Sequence, residues 1–378
     1  MELDLLIQNG LLLNPDTGAE TLSDVGIRNG RITLINPAGD MACQARRVLN
    51  AEGQYLLPGL IDFHTHLFRH GSGFGLDADA LLSAGVTCAV DMGTAGFTNF
   101  PALFNCDLAG KKIRLRSYLN LSPIGQPGKG INEPLGDSVV DLERMRACMQ
   151  AYPGQIAGVK VRISRSIVGS LGLEPLRRAV EVGEALGLPV CVHTTDPAGT
   201  AGQVAELLRE GDVYSHTYQG KGGTILAENG QVQAAVLQAQ KRGVLMEVGN
   251  GRVNFNFPVA ESAVADGLWP DIISSDSTPA TFHKEPAMWD LPMVMSKFLY
   301  LGMPLARVVK AVTVTPAQRL GMEDRIGRIA LGYDADLTIC RLSKEPIKFC
   351  DSDGNERTGN LRLTAIAAIR CGEILYRA

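Results

Sequence analysis

Apolar and polar positions along the chain fall into two rhythms. Residues 2–50 alternate short β-like runs with polar turns, in "DLLIQNG", "DVGIRNG" and "RITLIN". The NG dipeptides at 9–10 and 29–30 predict hairpin turns, because both turn positions tolerate positive φ. The far end has the same texture, in "DADLTICRL" (334–342) and "AAIRCGEILYRA" (367–378). Two β-rich ends bracketing a different middle predict one small β-sandwich assembled from residues 1–57 and 325–378.

In the middle, eight short apolar segments recur. They are "GLIDFHTH" (59–66), "VTCAVDMG" (86–93), "IRLRSYLNLS" (113–122), "IAGVKVRIS" (156–164), "LPVCVHTT" (188–195), "VYSHTYQG" (213–220), "VLMEVGNG" (244–251) and "PDIISSDS" (270–277). Helix-like stretches separate most of them. Leu176, Ala179, Val180 and Gly183 in 174–187 share one face, as do Val232, Ala235, Val236 and Ala239 in 229–243. Strands alternating with helices mean βα units on a parallel sheet, and eight of them predict an α/β protein whose residues 58–324 form a (β/α)8 TIM-like barrel.

Polar residues interrupt these apolar strands at particular places. Strand one ends in His64-Thr-His66, strand four carries Lys160, strand five ends at His193, strand six contains His216 and strand eight ends at Asp276. Alternate residues of a barrel strand point inward. Val159, Val161 and Ile163 share the parity that meets the helices, which sends Lys160 and Arg162 inside, where an unpaired cation is expensive. By the same parity Cys191 and His193 face in, and His64 and His66 face the same interior. All would gather at the C-terminal mouth of the barrel, where barrel active sites lie. Imidazoles with a carboxylate are preferred ligands of Zn2+ and related divalent ions. An ammonium cannot ligate a metal, but an amine that has taken up carbon dioxide is a carbamate, an anion able to bridge two.

Composition narrows the partners. A formal charge of −4 over 378 residues, with no lysine/arginine blocks, points away from nucleic acid. No apolar run is long enough to cross a membrane, and the N-terminus lacks the basic and apolar regions of a signal peptide. Eight cysteines from Cys43 to Cys371, with no CxxC pair, read as reduced thiols rather than a disulfide framework. A cytoplasmic homo-oligomer acting on a small molecule is expected.

The ordered set "GLIDFHTH", Lys160, His193, His216 and Asp276, with "GRIALGYDADLTI" (327–339) and the β-rich ends, resembles the amidohydrolase superfamily over nearly the whole chain. The resemblance implies two divalent metal ions, Zn2+ first among them. His64, His66 and Asp276 would hold the more buried ion, His193 and His216 the more exposed one, and N6-carboxylated Lys160 would bridge them. It also implies hydrolysis by a hydroxide shared between the metals. Asp276 is then the catalytic residue that takes its proton and delivers it to the leaving group. In dihydroorotases the strand-one motif runs His-x-His-x-Arg, with the arginine on the substrate carboxylate. Here Phe68 holds that position and Arg69 comes one place late.

The segment "DLPMVMSKFLYLGMPLARVVKAVTVTPAQRLG" (290–321) is similar to a dihydroorotase-like deacetylase branch, which implies acylated small carboxylic acids such as α-acetoxy acids and N-acyl amino acids. Arg162 is a candidate carboxylate anchor, with a structural ion pair as its alternative. Arg165, Asn250 in the "GNGR" loop and His283 are further candidates for substrate binding. His70 lies beyond the strand and outside the ligand set. Competing functions are a hydantoinase- or dihydroorotase-like cyclic amidase, which would share every metal ligand, and a non-catalytic assembly protein of the same fold; the superfamily's mononuclear deaminases rank behind, because they lack the bridging lysine.

Overall fold

The computed structural model describes residues 2–39, 44–128, 130–284 and 288–378. The chain begins with β1 (Leu5–Leu13), β2 (Glu20–Arg28), β3 (Arg31–Pro37), β4 (Val48–Asn50) and β5 (Tyr55–Pro58). Asn29 and Gly30, both at positive φ, make the turn between β2 and β3 that their dipeptide predicts. The other NG pair does not turn the chain. Asn9, at φ 59°, lies inside β1 at a bulge where the register against β2 slips between Ile7 and Gly10. The Asn9 N–H is taken by Asp24 Oδ1 at 2.8 Å. Positive φ thus serves a bulge here, a use of the same residues that local sequence does not separate from a turn.

Seven parallel strands follow: β6 (Leu60–Thr65), β7 (Val86–Met92), β8 (Arg114–Asn120), β9 (Ile156–Arg162), β10 (Val190–His193), β11 (Val213–Ser215) and β12 (Leu245–Glu247), paired in chain order. The eighth predicted segment joins the two ends of this curled sheet. Ile272 bridges Glu247 on one side and Ser277 bridges Thr65 on the other, both in parallel. Helices fill the connections, and Glu174–Leu186 ends at Gly187 with φ 66°, a left-handed cap that glycine adopts freely. The second helix starts later than its periodicity suggests, at Ala234. Leu226 bridges Val232 in a tight loop, and Asp266 takes the Val232 N–H, so this valine is held outside the helix.

The barrel interior is a distinct apolar cluster containing Phe63, Val90, Met92, Tyr118, Cys191, Val213 and Ile272, one or two residues from each of five strands and one from the eighth segment. Val159, Val161, Val190 and Val192 belong instead to the core shared with the helices. The parity read from sequence therefore holds on β9 and β10. On β6 it needs one amendment. The ladder to β7 slips between Asp62 and Thr65, so Phe63 packs inward and the next residue, His64, still reaches the mouth.

The chain closes with β13 (Leu337–Ser343), β14 (Ile347–Cys350), β15 (Glu356–Gly359), β16 (Arg362–Arg370) and β17 (Glu373–Arg377). β13, β16 and β17 join the N-terminal strands in one eight-stranded sheet ordered β17-β16-β13-β5-β1-β2-β3, with β4 beside β1. Leu5, Ile7, Val25, Ile27, Ile32, Leu337, Ile339 and Ile369 form its own core. The β14–β15 hairpin leaves this sheet and packs on the barrel. Ile347 and Phe349 join the barrel-side core, and Asp351 takes the N–H of Phe257 at 2.8 Å. The described cysteines are all free, and Cys43 lies outside the described residues. Among the described residues no helix is long and apolar enough to cross a membrane.

One buried cation ties that hairpin to the barrel mouth. Lys297, in the helix Leu291–Tyr300, donates to Asn250 Oδ1 at 2.9 Å and to the Cys350 carbonyl at 3.1 Å, with its Nζ 4.9 Å from the Phe255 ring. Burial pulls its pKa down to about 7. The unfolded chain then binds the extra proton between pH 7 and the ordinary lysine value, so stability rises with pH across that window and is lost as pH falls through it. The Lys297→Met variant is expected to remove a slope of up to ~1.4 kcal/mol per pH unit there, read from denaturant unfolding at several pH values. Parallel wild-type and variant curves would contradict this.

Candidate metal and catalytic centre

The C-terminal ends of β6, β9, β10, β11 and the eighth segment meet at one cavity of about 260 Å³, lined by His64, His66, Lys160, Arg162, His193, His216 and Asp276. All six predicted metal ligands are therefore together. His64 Nε2 and His66 Nε2 lie 3.6 and 3.2 Å from Asp276 Oδ1. The His216 ring stands 5.0 Å from that of His64 and 4.4 Å from that of His193. Among the described residues, two donor groupings are compact enough for an ion: His64, His66 and Asp276, and His64, His216 and Glu247.

Two site residues carry backbone strain. His216 and Asp276 sit at φ 64° and 53°, a conformation that costs a non-glycine residue roughly 1–3 kcal/mol and recurs at functional sites. The loop after β12 keeps the space around them clear. A Cβ on Gly249 would come within 2.5 Å of His216 Nδ1, and one on Gly251 within 2.3 Å of Asp276 Oδ2. These two positions demand glycine.

Hydrogen bonds fix which atoms face the cavity. His216 Nδ1 is 2.9 Å from the Gly249 carbonyl, which only accepts, so Nδ1 carries the proton and Nε2 is free. His66 Nδ1 lies 2.8 Å from Thr94 Oγ1. Asn254 donates to Asp276 Oδ2 at 2.7 Å, leaving Oδ1 toward the histidines. Burial, with Lys160 nearby, holds the His64 imidazole well below its ordinary pKa, and burial beside His216 does the same for His193. Burial also lowers His216, against the pull of Asp276. Neutral imidazoles are the ligand form. Burial pushes the Asp276 carboxyl up, but His64, His66 and His216 outweigh it and hold the group well below the usual carboxylate range. An ionised carboxylate among neutral imidazoles, opposite a buried lysine, is a donor set that fits divalent ions.

Lys160 is 1% exposed, and its Nζ lies 3.6 Å from Cys191 Sγ. Arg162 lines the cavity wall and is ion-paired with buried Glu133, while its Nε has no hydrogen-bond partner among the described residues. The other candidate substrate contacts stand elsewhere. Asn250 is buried under Lys297. Arg165 is mostly exposed, pairing with Asp196 at 3.7 Å. His283 stacks between Phe282 and Trp289. His70 is paired with Asp107 at 2.7 Å, outside the cavity lining.

Sequence reading passed over Glu247, which is fully buried at the end of β12 and bonded to Ser215 and Ser274. Its signal was present: a lone acid inside the apolar run "VLMEVG". Burial raises its pKa, against the pull of His216 and Ser215.

Phe68 is 2% exposed and packs in the barrel-side core beneath Gly71, where an added Cβ would lie 2.1 Å from its ring. It does not line the cavity. The Phe68→Arg change is expected to destabilise the protein by at least ~3 kcal/mol without creating a carboxylate anchor, since it deletes a packed ring and buries a charge. Thermal denaturation checks this, and a variant that melts with the wild type would contradict it.

The amidohydrolase family pattern matches residues 55–372. A deacetylase of Brucella anthropi is 32% identical over 332 residues, covering 87% of this chain and 81% of that protein. A crystal structure of an adenine deaminase superposes with a TM-score of 0.91 at 27% identity over 100% of both chains. A crystal structure of a dihydroorotase gives 0.87 at 28% identity, over 99% of both.

Proposed function

The chain belongs to the amidohydrolase family, and from that premise we propose that it is a binuclear metal-dependent hydrolase that removes the acyl group from small acylated carboxylic acids, such as acetylated α-hydroxy acids or N-acyl amino acids. The observation that carries this reading is the convergence of four histidines, Lys160 and Asp276 on one cavity with Arg162 in its wall. His64, His66 and Asp276 would hold one ion, His193 and His216 the other, and Lys160, N6-carboxylated, would join them. Zn2+ suits this set of nitrogen and oxygen donors. When bound, such ions supply a nucleophilic water at neutral pH and polarise the acyl carbonyl.

The chain's own residues do the rest. Asp276, ionised and anchored by Asn254, takes the proton of the nucleophile through Oδ1 and returns it to the departing amine or alcohol. Arg162 binds the substrate carboxylate with its planar fork. The polar wall at His193 and His216 is kept neutral, so proton traffic stays on Asp276. The same reading divides the chain into a catalytic (β/α)8 barrel, residues 58–324, and a β-sandwich from 1–57 and 325–378, and places a homo-oligomer in the cytoplasm.

A cyclic-amidase function is the second reading, favoured by the dihydroorotase superposition. A hydrolysis screen of the metal-replete protein separates the two. Acetylated α-hydroxy acids and N-acyl amino acids are expected to turn over, and esters lacking the carboxylate are expected to be poor substrates. Turnover confined to dihydroorotate or hydantoins would replace the proposal with the second reading.

A further inference from the structure

His64 has two nitrogen edges, and they meet opposite surroundings. Its Nε2 faces Asp276 Oδ1 at 3.6 Å, in the cavity. Its Nδ1 faces away, 3.4 Å from each oxygen of Glu247 and 3.2 Å from Ser215 Oγ. The protons around Glu247 can be traced. Gly249 N–H donates to Ser274 Oγ at 3.0 Å, so the Ser274 hydroxyl proton is left for Glu247 Oε1. Ser215 has one hydroxyl proton and gives it to Glu247 Oε2. Its oxygen can then only accept from the imidazole. Every group facing His64 Nδ1 is an acceptor.

We infer that Glu247 is a positioning residue that fixes His64 with its proton on Nδ1 and so presents a bare Nε2 to the cavity. The inference deepens the function proposed above and rests on it where metal binding is concerned. A carboxylate buried completely is expensive unless each oxygen is satisfied. Here two serines and one imidazole satisfy it, and none of them is exposed. The same short stretch sets a second histidine, because the Gly249 carbonyl fixes His216 in the corresponding tautomer two residues on. The end of β12 therefore orients one imidazole through a side chain and another through its backbone. Carboxylates that orient metal-bound histidines in this way commonly alter metal affinity 10–100-fold when removed.

Glu247 also groups with His64 and His216 closely enough to be a ligand itself. Its geometry opposes that role: both oxygens already receive serine hydroxyls, and the edge of His64 that it meets is the one turned from Asp276.

The test uses full-length protein labelled with ¹⁵N-histidine and stripped of metal by chelation, with His64 resonances assigned through the His64→Gln variant. Two-bond proton–nitrogen correlation reads the tautomer, and Zn2+ titration against a competing chelator reads affinity. Wild type is expected to show His64 with Nδ1 protonated. The Glu247→Gln variant, which keeps the shape but can turn an NH2 toward Nδ1, is expected to lose that tautomer and ~10–100-fold of the affinity at the tighter site. Glu247→Asp, which keeps the carboxylate, should regain the tautomer and part of the affinity, and it serves if the glutamine variant folds poorly. An unchanged His64 tautomer in Glu247→Gln overturns the inference. If affinity falls all the same, Glu247 is a ligand. Wild-type protein that takes up no Zn2+ while the tautomer still switches with Glu247 would overturn the hydrolase reading and leave the positioning role standing.

Discussion

Replacing Asp276 with asparagine is expected to lower kcat for acyl hydrolysis by ~10³-fold or more, within the 10²–10⁴ that a positioned proton carrier contributes plus the loss of a metal ligand. The site leaves little room for compensation. Asp276 Oδ1 stands against His64 Nε2 and His66 Nε2, while Oδ2 accepts from Asn254. A carboxamide has one acceptor where the carboxylate has two, so either its NH2 meets the Asn254 NH2 or it meets the histidine edges that should bind an ion. Folding should survive. The residue sits at φ 53°, which asparagine tolerates better than most side chains, and its N–H to the His64 carbonyl at 2.8 Å is retained. A normal melting temperature with the activity lost is the expected pair of results. Activity within ~10-fold of wild type would remove Asp276 from the proton transfer.

The second large effect belongs to Lys160. Lys160→Ala and Lys160→Arg are both expected to lose the bound ions and at least ~10³ of the activity, because neither side chain can form the carbamate that would join the two metal sites. Lys160 is buried, and the hydrogen bond its Nζ makes among the described residues is to the Cys191 thiol, a weak partner for an ammonium group. Reconstitution of metal-free wild type with Zn2+ and ¹³C-bicarbonate should give a carbamate carbon resonance that is absent from Lys160→Arg. Full metal content and activity in Lys160→Ala would eliminate the bridge.

The cavity-lining set was legible because burial makes polarity conspicuous. Lys160 and His193 stand out against Val159, Val161, Val190 and Val192, and period-two alternation alone assigns them to the interior. What escaped notice depended on contacts rather than period. The bulge on β6 is set by its pairing with β7, and Glu247 acquires meaning only through Ser215 and His64, which come from other strands. For Arg162 the sequence allows both a carboxylate anchor and an ion pair. The structure pairs it with Glu133 yet leaves it on the cavity wall. Phe68 teaches the opposite lesson. Its position in the motif is that of a substrate-binding arginine, but the chain packs it into the core beneath Gly71, so a one-letter comparison carried no geometry. Lys297 draws the loop after β12, through Asn250, and the end of β14, through Cys350, together over a separation no local pattern reveals.

The central claim is that this cavity holds two divalent ions joined by a modified lysine. Anomalous X-ray diffraction at the metal edge, from crystals of protein purified without chelators, tests it most directly. Two peaks ~3.5–4 Å apart are predicted, one against His64, His66 and Asp276 and the other against His193 and His216, with density extending beyond Lys160 Nζ to both. No peak, or a single peak beside an unmodified Lys160, would contradict it.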